Sequence, residues 1–453
     1  MRAIYLASAA DRIYLHPSGG FMLHGLSITR TYLKGMLDKL GVNAQFVKWE
    51  AYKAAPERLT RAGPSEPARE QTQEMLAGFD RAWYAAVGQG RKLSKEALDG
   101  ILSDGPQTMK MAHELGLVDR IVHDDELKRA LSEDLGREVR LVKGYRPARS
   151  AWRRWRSPRR IAIVPVVGTI VDGKSDLFKL PVQGQSTGEV DFVKAMKRAA
   201  RDPEVVGIVV RVSSPGGSVV ASERMHRAVV KAMGVKPVVV SFGDIAASGG
   251  YYLACAADRI VASPLTITGS IGIFTGKVDL SGLYEKIGVT SSTERTRPSA
   301  DAHGTHRPWT PEEEKVARER LKAYYDIFVE HVAKGRSMEV AKAEQRARGR
   351  VYIGERAIAL DLVDREGSLW DAIGVVRAQA GIDPGEALDL GYGPERGFLD
   401  KLTLVLSGAL GAVAHAPMEI PNALRPLTRL LTAMVSLERS ALQARLPYDI
   451  EVK

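Results

Sequence analysis

Arg211-Val212-Ser213-Ser214-Pro215-Gly216-Gly217-Ser218 leaves a buried apolar run, Val205 to Val212, and leads toward a helix predicted over Glu223 to Met233. The same grammar returns at once. Pro237 to Phe242 is a second buried run, and it opens into Asp244-Ile245-Ala246-Ala247-Ser248-Gly249-Gly250-Tyr251-Tyr252. Upstream, Ile161 to Val167 reads as a strand and Asp191 to Ala200 as a helix. Apolar runs of strand length alternating with helical segments predict an α/β fold with largely parallel strands.

Working outward, the chain repeats itself. Tyr5-Leu6-Ala7-Ser8-Ala9-Ala10-Asp11-Arg12-Ile13 recurs as Tyr252-Leu253-Ala254-Cys255-Ala256-Ala257-Asp258-Arg259-Ile260. Leu117-Val118-Asp119-Arg120 recurs as Leu362-Val363-Asp364-Arg365, and Gly90-Arg91 as Gly335-Arg336, at an offset near 245 residues throughout. A constant offset over such a distance marks a duplicated domain. The predicted organisation is an incomplete first copy over 1–139, a basic linker over 140–160, a fuller second copy over 161–375, and a C-terminal helical extension over 376–453. The first copy begins at the position matching about residue 248 and has no counterpart of residues 161–247. The expectation is that the reading frame continues upstream, with a hydrophobic segment and the missing strands. The alternative is that the fragment packs on the second copy or on another subunit.

The two glycine motifs carry the chemistry. A Pro-Gly-Gly turn after a strand turns backbone amides outward near a helix N-terminus, a geometry that stabilises an oxyanion. A serine flanked by alanines and glycines at the start of an apolar helix sits as a nucleophile does, with room for a substrate backbone. Each motif alone has a plain structural reading, the first as a strand-to-helix turn and the second as a helix N-cap. Their order and their spacing, 31 residues from Gly217 to Ser248, are more specific.

The pair resembles the serine peptidases of the Clp-protease and crotonase-like fold. The run Ala246 to Ile260, followed by Thr268-Gly269-Ser270-Ile271-Gly272-Ile273, resembles the signal peptide peptidase A family (peptidase family S49), in its long, two-domain form. The resemblance covers most of residues 1–375. It implies tandem Clp/crotonase-like domains, the first incomplete, with Ser248 as nucleophile and the amides of Gly216 and Gly217 as oxyanion donors. Clp-type enzymes use a histidine beyond the nucleophile, but Gly269 to Phe274 contains none, which disfavours a Ser-His-Asp triad. The long signal peptide peptidases draw a lysine from the first copy, and Glu50-Ala51-Tyr52-Lys53-Ala54-Ala55 puts Lys53 on it. Ser270 then orients the lysine amine. Neither copy makes the dyad alone, so Ser248 and Lys53 meet across the domain boundary or between subunits.

Two positions depart from the family pattern: Glu50 stands where glycine is usual and Ala54 where serine is usual. An inward-facing Glu50 carboxylate would raise the lysine pKa and weaken it as a base. A free lysine is protonated at neutral pH, so burial must bring it down to near the working pH before it can take a proton. The resemblance further implies apolar peptides such as signal-peptide remnants as substrates, a homotetramer, and the periplasmic face of the bacterial inner membrane. The competing readings are a catalytically degenerate scaffold and a crotonase-like acyl-CoA hydratase or isomerase.

Composition excludes other classes. The chain has 453 residues, 45% apolar and 26% charged, an ordinary globular balance. Its net charge of +11 is partly local, with nine Lys or Arg and no acid between Arg140 and Arg160. That segment reads as a solvated linker or as a surface for anionic lipid headgroups; no nucleic-acid module accompanies it. A single cysteine, Cys255, precludes an intramolecular disulfide, and the nine histidines show no H-E-x-x-H spacing, so no cofactor or metal is implied. The N-terminus lacks a signal-peptide apolar core, and Leu402 to Val413 is too short to span a bilayer.

Overall fold

The computed structural model describes residues 1–19, 23–103, 108–142, 159–175, 185–383, 386, 388–392 and 442–445. Most of the basic segment lies outside them, as does most of the C-terminal extension expected to be helical. The described parts of 376–453 are the end of one helix and two short strands. The chain forms two compact units, and sequence order does not divide them. Met1–Thr29 groups with the chain from Gln73 to the basic segment, while Arg30–Thr72 groups with the chain beyond it.

The larger unit has strands β1 (Asn43–Lys48), β2 (Arg160–Val167), β3 (Val205–Ser214), β4 (Gly216–Ser218), β5 (Val238–Ala247), β6 (Arg259–Ala262), β7 (Ile267–Gly269), β8 (Phe274–Asp279), β9 (Val351–Ile353), β10 (Asp389–Tyr392) and β11 (Leu442–Arg445). Its principal helices are α1 (Glu189–Arg201), α2 (Val219–Met233), α3 (Gly249–Ala254), α4 (Pro311–Gly335) and α5 (Leu369–Gln379). The main sheet runs β9-β7-β5-β3-β2-β10, with β6 also on the β5 edge. Every pairing along it is parallel except β9 with β7.

The valine runs explain this sheet. Ile208, Val210, Val212, Val238 and Val240 join Phe192, Met196, Met225 and Val229 on one face. The alternate residues Ile161, Ile163, Val209, Val239 and Val261 pack with Ile373 and Val376 of α5 on the other. A strand buried on both faces favours apolar residues at nearly every position, which is why these segments are near-continuous runs. Helix α4 starts at a reciprocal capping box between Thr310 and Glu313.

A second sheet runs β1-β8-β11-β4 and continues through Thr169–Val171 and Ser186–Gly188. Here β1, from the early part of the chain, lies antiparallel along all of β8, from Phe274 opposite Lys48 to Asp279 opposite Asn43. This pairing anchors the segment that follows β1 into the larger unit.

The smaller unit is mainly helical, with a core that includes Ile4, Trp83, Val87, Leu98, Ile101 and Leu117. Residues that recur in sequence make the same local bonds in each unit. Asp119 accepts the Ile13 N–H at 2.7 Å and Arg91 at 2.9 Å; Asp364 accepts the Ile260 N–H at 2.7 Å and Arg336 at 2.6 Å. A Cβ on Gly90 would collide with the Ser8 carbonyl, and one on Gly335 with that of Cys255. These close approaches account for glycine at both positions.

Candidate active site

Two adjacent parallel strands end beside one lysine. Strand β5 runs to Ala247, and Ser248 follows with φ 53°, an uncommon backbone for a residue with a side chain. Strand β7 pairs Gly269 with Ala247, and Ser270 follows with φ 51°. The Ser248 N–H donates to the Gly269 carbonyl at 2.8 Å, and the Ser270 N–H to the Arg350 carbonyl at 2.6 Å. These bonds hold both serines in the left-handed region, where backbone strain gathers at functional positions.

Lys53 arrives from β1. Trp49 N–H donates to the Ile273 carbonyl, and Tyr52 N–H to the Arg348 carbonyl. Between them Glu50 turns the chain with φ 72°, a conformation that suits glycine. Lys53 Nζ lies 2.8 Å from Ser248 Oγ, 3.0 Å from the Ser270 carbonyl oxygen and 3.0 Å from Ser270 Oγ. Lys53, Ser248 and Ser270 are all fully buried. Burial alone holds the Lys53 amine well below the ordinary lysine value, and Glu50 is not among the groups acting on it.

The bonding pattern suits a neutral amine. An uncharged –NH2 has two N–H donors and one lone pair. The Ser270 carbonyl and Ser270 Oγ take the two donors, leaving the lone pair to accept the Ser248 hydroxyl proton. Among the described residues no carboxylate bonds Nζ, so a charged ammonium would be buried there without a counter-ion.

Gly216 and Gly217 lie in β4, not in an open turn. The Gly216 N–H donates to Ser214 Oγ at 3.1 Å, and Gly217 pairs with Ile170 on one side and Ala444 of β11 on the other. Gly249 was not singled out by the sequence. Its N–H, in the first turn of α3 beside Ser248, has no acceptor among the described residues. Ser248 Oγ itself has the Gly272 carbonyl as a second neighbour at 3.5 Å.

The supports of Lys53 were also invisible in the sequence. Buried Gln71 donates to the Tyr52 carbonyl and accepts the Val351 N–H, each at 3.2 Å, tying the lysine segment to β9. Gly349 has φ 74°, and a Cβ there would stand 2.6 Å from the Lys53 backbone nitrogen. Gly349→Ala is therefore expected to destabilise the protein by about 1–3 kcal/mol and to reduce any activity that depends on Lys53. Urea unfolding, read beside a peptidase assay, checks this.

The model of peptidase family S49 matches residues 2–138 and 231–383. The chloroplastic serine protease SPPA of Arabidopsis thaliana is 31% identical over 390 residues, covering 84% of this chain and 57% of the relative. Protease 4 of Haemophilus influenzae is 33% identical over 394 residues, covering 82% of this chain and 61% of the relative. A putative protease of Synechocystis is 34% identical over 226 residues, covering 50% of this chain and 76% of the relative. The chain thus spans less than two thirds of the first two relatives. A solved ClpP1 variant from Listeria monocytogenes is similar with TM-score 0.30 at 12% identity, over 47% of this chain and 94% of that one.

Proposed function

The chain belongs to peptidase family S49, and on that premise we propose that it is a serine endopeptidase in which Ser248 is the nucleophile and neutral Lys53 the general base. The observation that carries this reading is the buried 2.8 Å pair of Lys53 Nζ and Ser248 Oγ. Ser248 Oγ attacks the peptide carbonyl as Lys53 takes its proton, Ser270 holds the amine, and the ammonium returns the proton to the leaving amine. Water, deprotonated in turn by Lys53, releases the acyl group from Ser248.

The oxyanion is held by backbone amides. The Gly249 N–H, free among the described residues, is a donor next to the nucleophile. The family resemblance assigns the amides of Gly216 and Gly217, of which the Gly216 N–H must give up Ser214 Oγ to serve. A substrate backbone that docks as an extended strand against Gly216–Ser218 takes the place of β11, which lies antiparallel between β4 and β8. That the substrates are apolar peptides such as signal-peptide remnants rests on the family resemblance. The homotetramer and a place at the periplasmic face of the inner membrane rest on the family resemblance. No helix among the described residues is long and apolar enough to cross a membrane.

A fluorophosphonate probe tests the assignment without knowledge of the substrate. Covalent labelling of the folded protein that disappears in Ser248→Ala is expected. Labelling elsewhere, or none in a folded chain, supports the scaffold reading instead.

A further inference from the structure

Away from Lys53, helices α2 and α4 bring together three side chains that the peptidase reading does not use. Glu223 and His226 stand three residues apart on α2 and so share a face, and His331 comes from α4. One potential ligand atom of each lies within 4.8 Å of those of the other two. Glu223 Oε2 is 3.0 Å from His331 Nε2, and the two imidazole rings lie 4.2 Å apart, tilted by 31°. A cavity of about 900 Å³ opens beside them.

An ordinary hydrogen-bond network accounts for part of this arrangement. Glu223 Oε2 accepts from Tyr252 Oη at 2.6 Å and from His331. It does not account for His226. That ring is only 5% exposed, and neither of its nitrogens has a hydrogen-bond partner among the described residues. Neither nitrogen is among the fully enclosed atoms that lack a partner, so both are open to the cavity, where a ligand can reach them. Glu223 also keeps Oε1 clear of these bonds.

We propose that Glu223, His226 and His331 form a zinc site. Two imidazole nitrogens and one carboxylate oxygen are a ligand set that zinc takes, with a fourth position left for water. Zinc bonds of about 2.0–2.2 Å need the three atoms to close up modestly from their present spacing. The metal displaces the proton on His331 Nε2, whose place against Glu223 it takes. Tyr252 Oη then orients the carboxylate from behind, the usual arrangement around a ligating carboxylate. Arg227 and Lys334 face the cluster and oppose a cation, as do Arg259 and Arg336 of the cavity wall. Asp258, Asp361 and Asp364 of that wall offset them only in part, since Asp364 is already paired with Arg336. The site joins α2 to α4 and, through Tyr252, to α3. The Tyr252 N–H also bonds the Ser248 carbonyl at 2.8 Å, so the metal braces the helix that begins at the nucleophile.

The test is titration of the full chain with Zn²⁺ by calorimetry, and with Co²⁺ followed by its visible absorption. The expected result is one ion per chain and a higher melting temperature with zinc. Both effects are lost in His226→Ala and His331→Ala, and affinity falls about 10–100-fold in Tyr252→Phe, a variant that keeps the ring packing. Glu223→Gln, which retains an acceptor for Tyr252, separates loss of metal from loss of fold. Zinc binding equal in the wild type and in both folded histidine variants overturns the proposal, as does a folded wild type that binds none.

Discussion

Lys53→Met and Ser248→Ala are each expected to lower kcat/KM for an apolar peptide by about 10³-fold or more, and the double variant to be little worse than either single one. The two groups act on one proton, so removing either ends the same step. Lys53→Arg is expected to fail as completely. A guanidinium stays protonated at any working pH, and the space around the lysine stem is already closed by Gly272 and Gly349. Ser270→Ala removes one of two acceptors for Nζ and leaves the carbonyl, so a smaller loss follows. A Lys53→Met protein that keeps near-normal turnover would sink the dyad. A Lys53→Met protein that is inactive but melts like wild type separates chemistry from folding.

Activity is also expected to fall as pH drops, with kcat/KM following a single ionisation on its acid limb. Burial lowers the Lys53 pKa, and only the neutral amine accepts the Ser248 proton, so activity is lost as pH falls through that depressed value. Stability moves the same way. Between the depressed value and the unfolded lysine's value of about 10.4, the unfolded chain carries one more proton than the native one. Native stability therefore rises with pH across that window. Lys53→Met removes this dependence, so the difference in melting temperature between variant and wild type should shrink as pH rises. A kcat/KM profile flat on the acid side would point to a base other than a buried lysine.

Much of the architecture was legible from residue order. The runs at Val205, Val238 and Ile161 are apolar at nearly every position because both faces of the sheet are covered; the exceptions Arg211 and Ser241 bond each other at 2.7 Å. Observed elements extend the predicted ones: β5 continues from Phe242 to Ala247, and α2 begins at Val219, where Ser218 Oγ accepts the Ala221 N–H. The Pro-Gly-Gly segment misled in form. Glycines read as a turn, but Gly216–Ser218 is a strand because a second sheet supplies partners on both sides. Propensity has no knowledge of such partners.

What the sequence determined by itself was the cast of residues: a serine among small neighbours after a buried strand, a lysine in a recognisable context, and a repeated segment with its aspartate and arginine. Those depend on local pattern and on self-similarity, which residue order records in full. Only the tertiary structure decided that Arg30–Thr72 joins the larger unit, that Lys53 is stripped of water, and that Glu50 acts as a turn and not as a counter-charge. It likewise decided that His226 is buried beside His331. Each of these depends on contacts between residues far apart in the chain, 195 positions in the case of Lys53 and Ser248. Burial and pKa are set by what surrounds a side chain, and the surroundings exist only once the chain has folded.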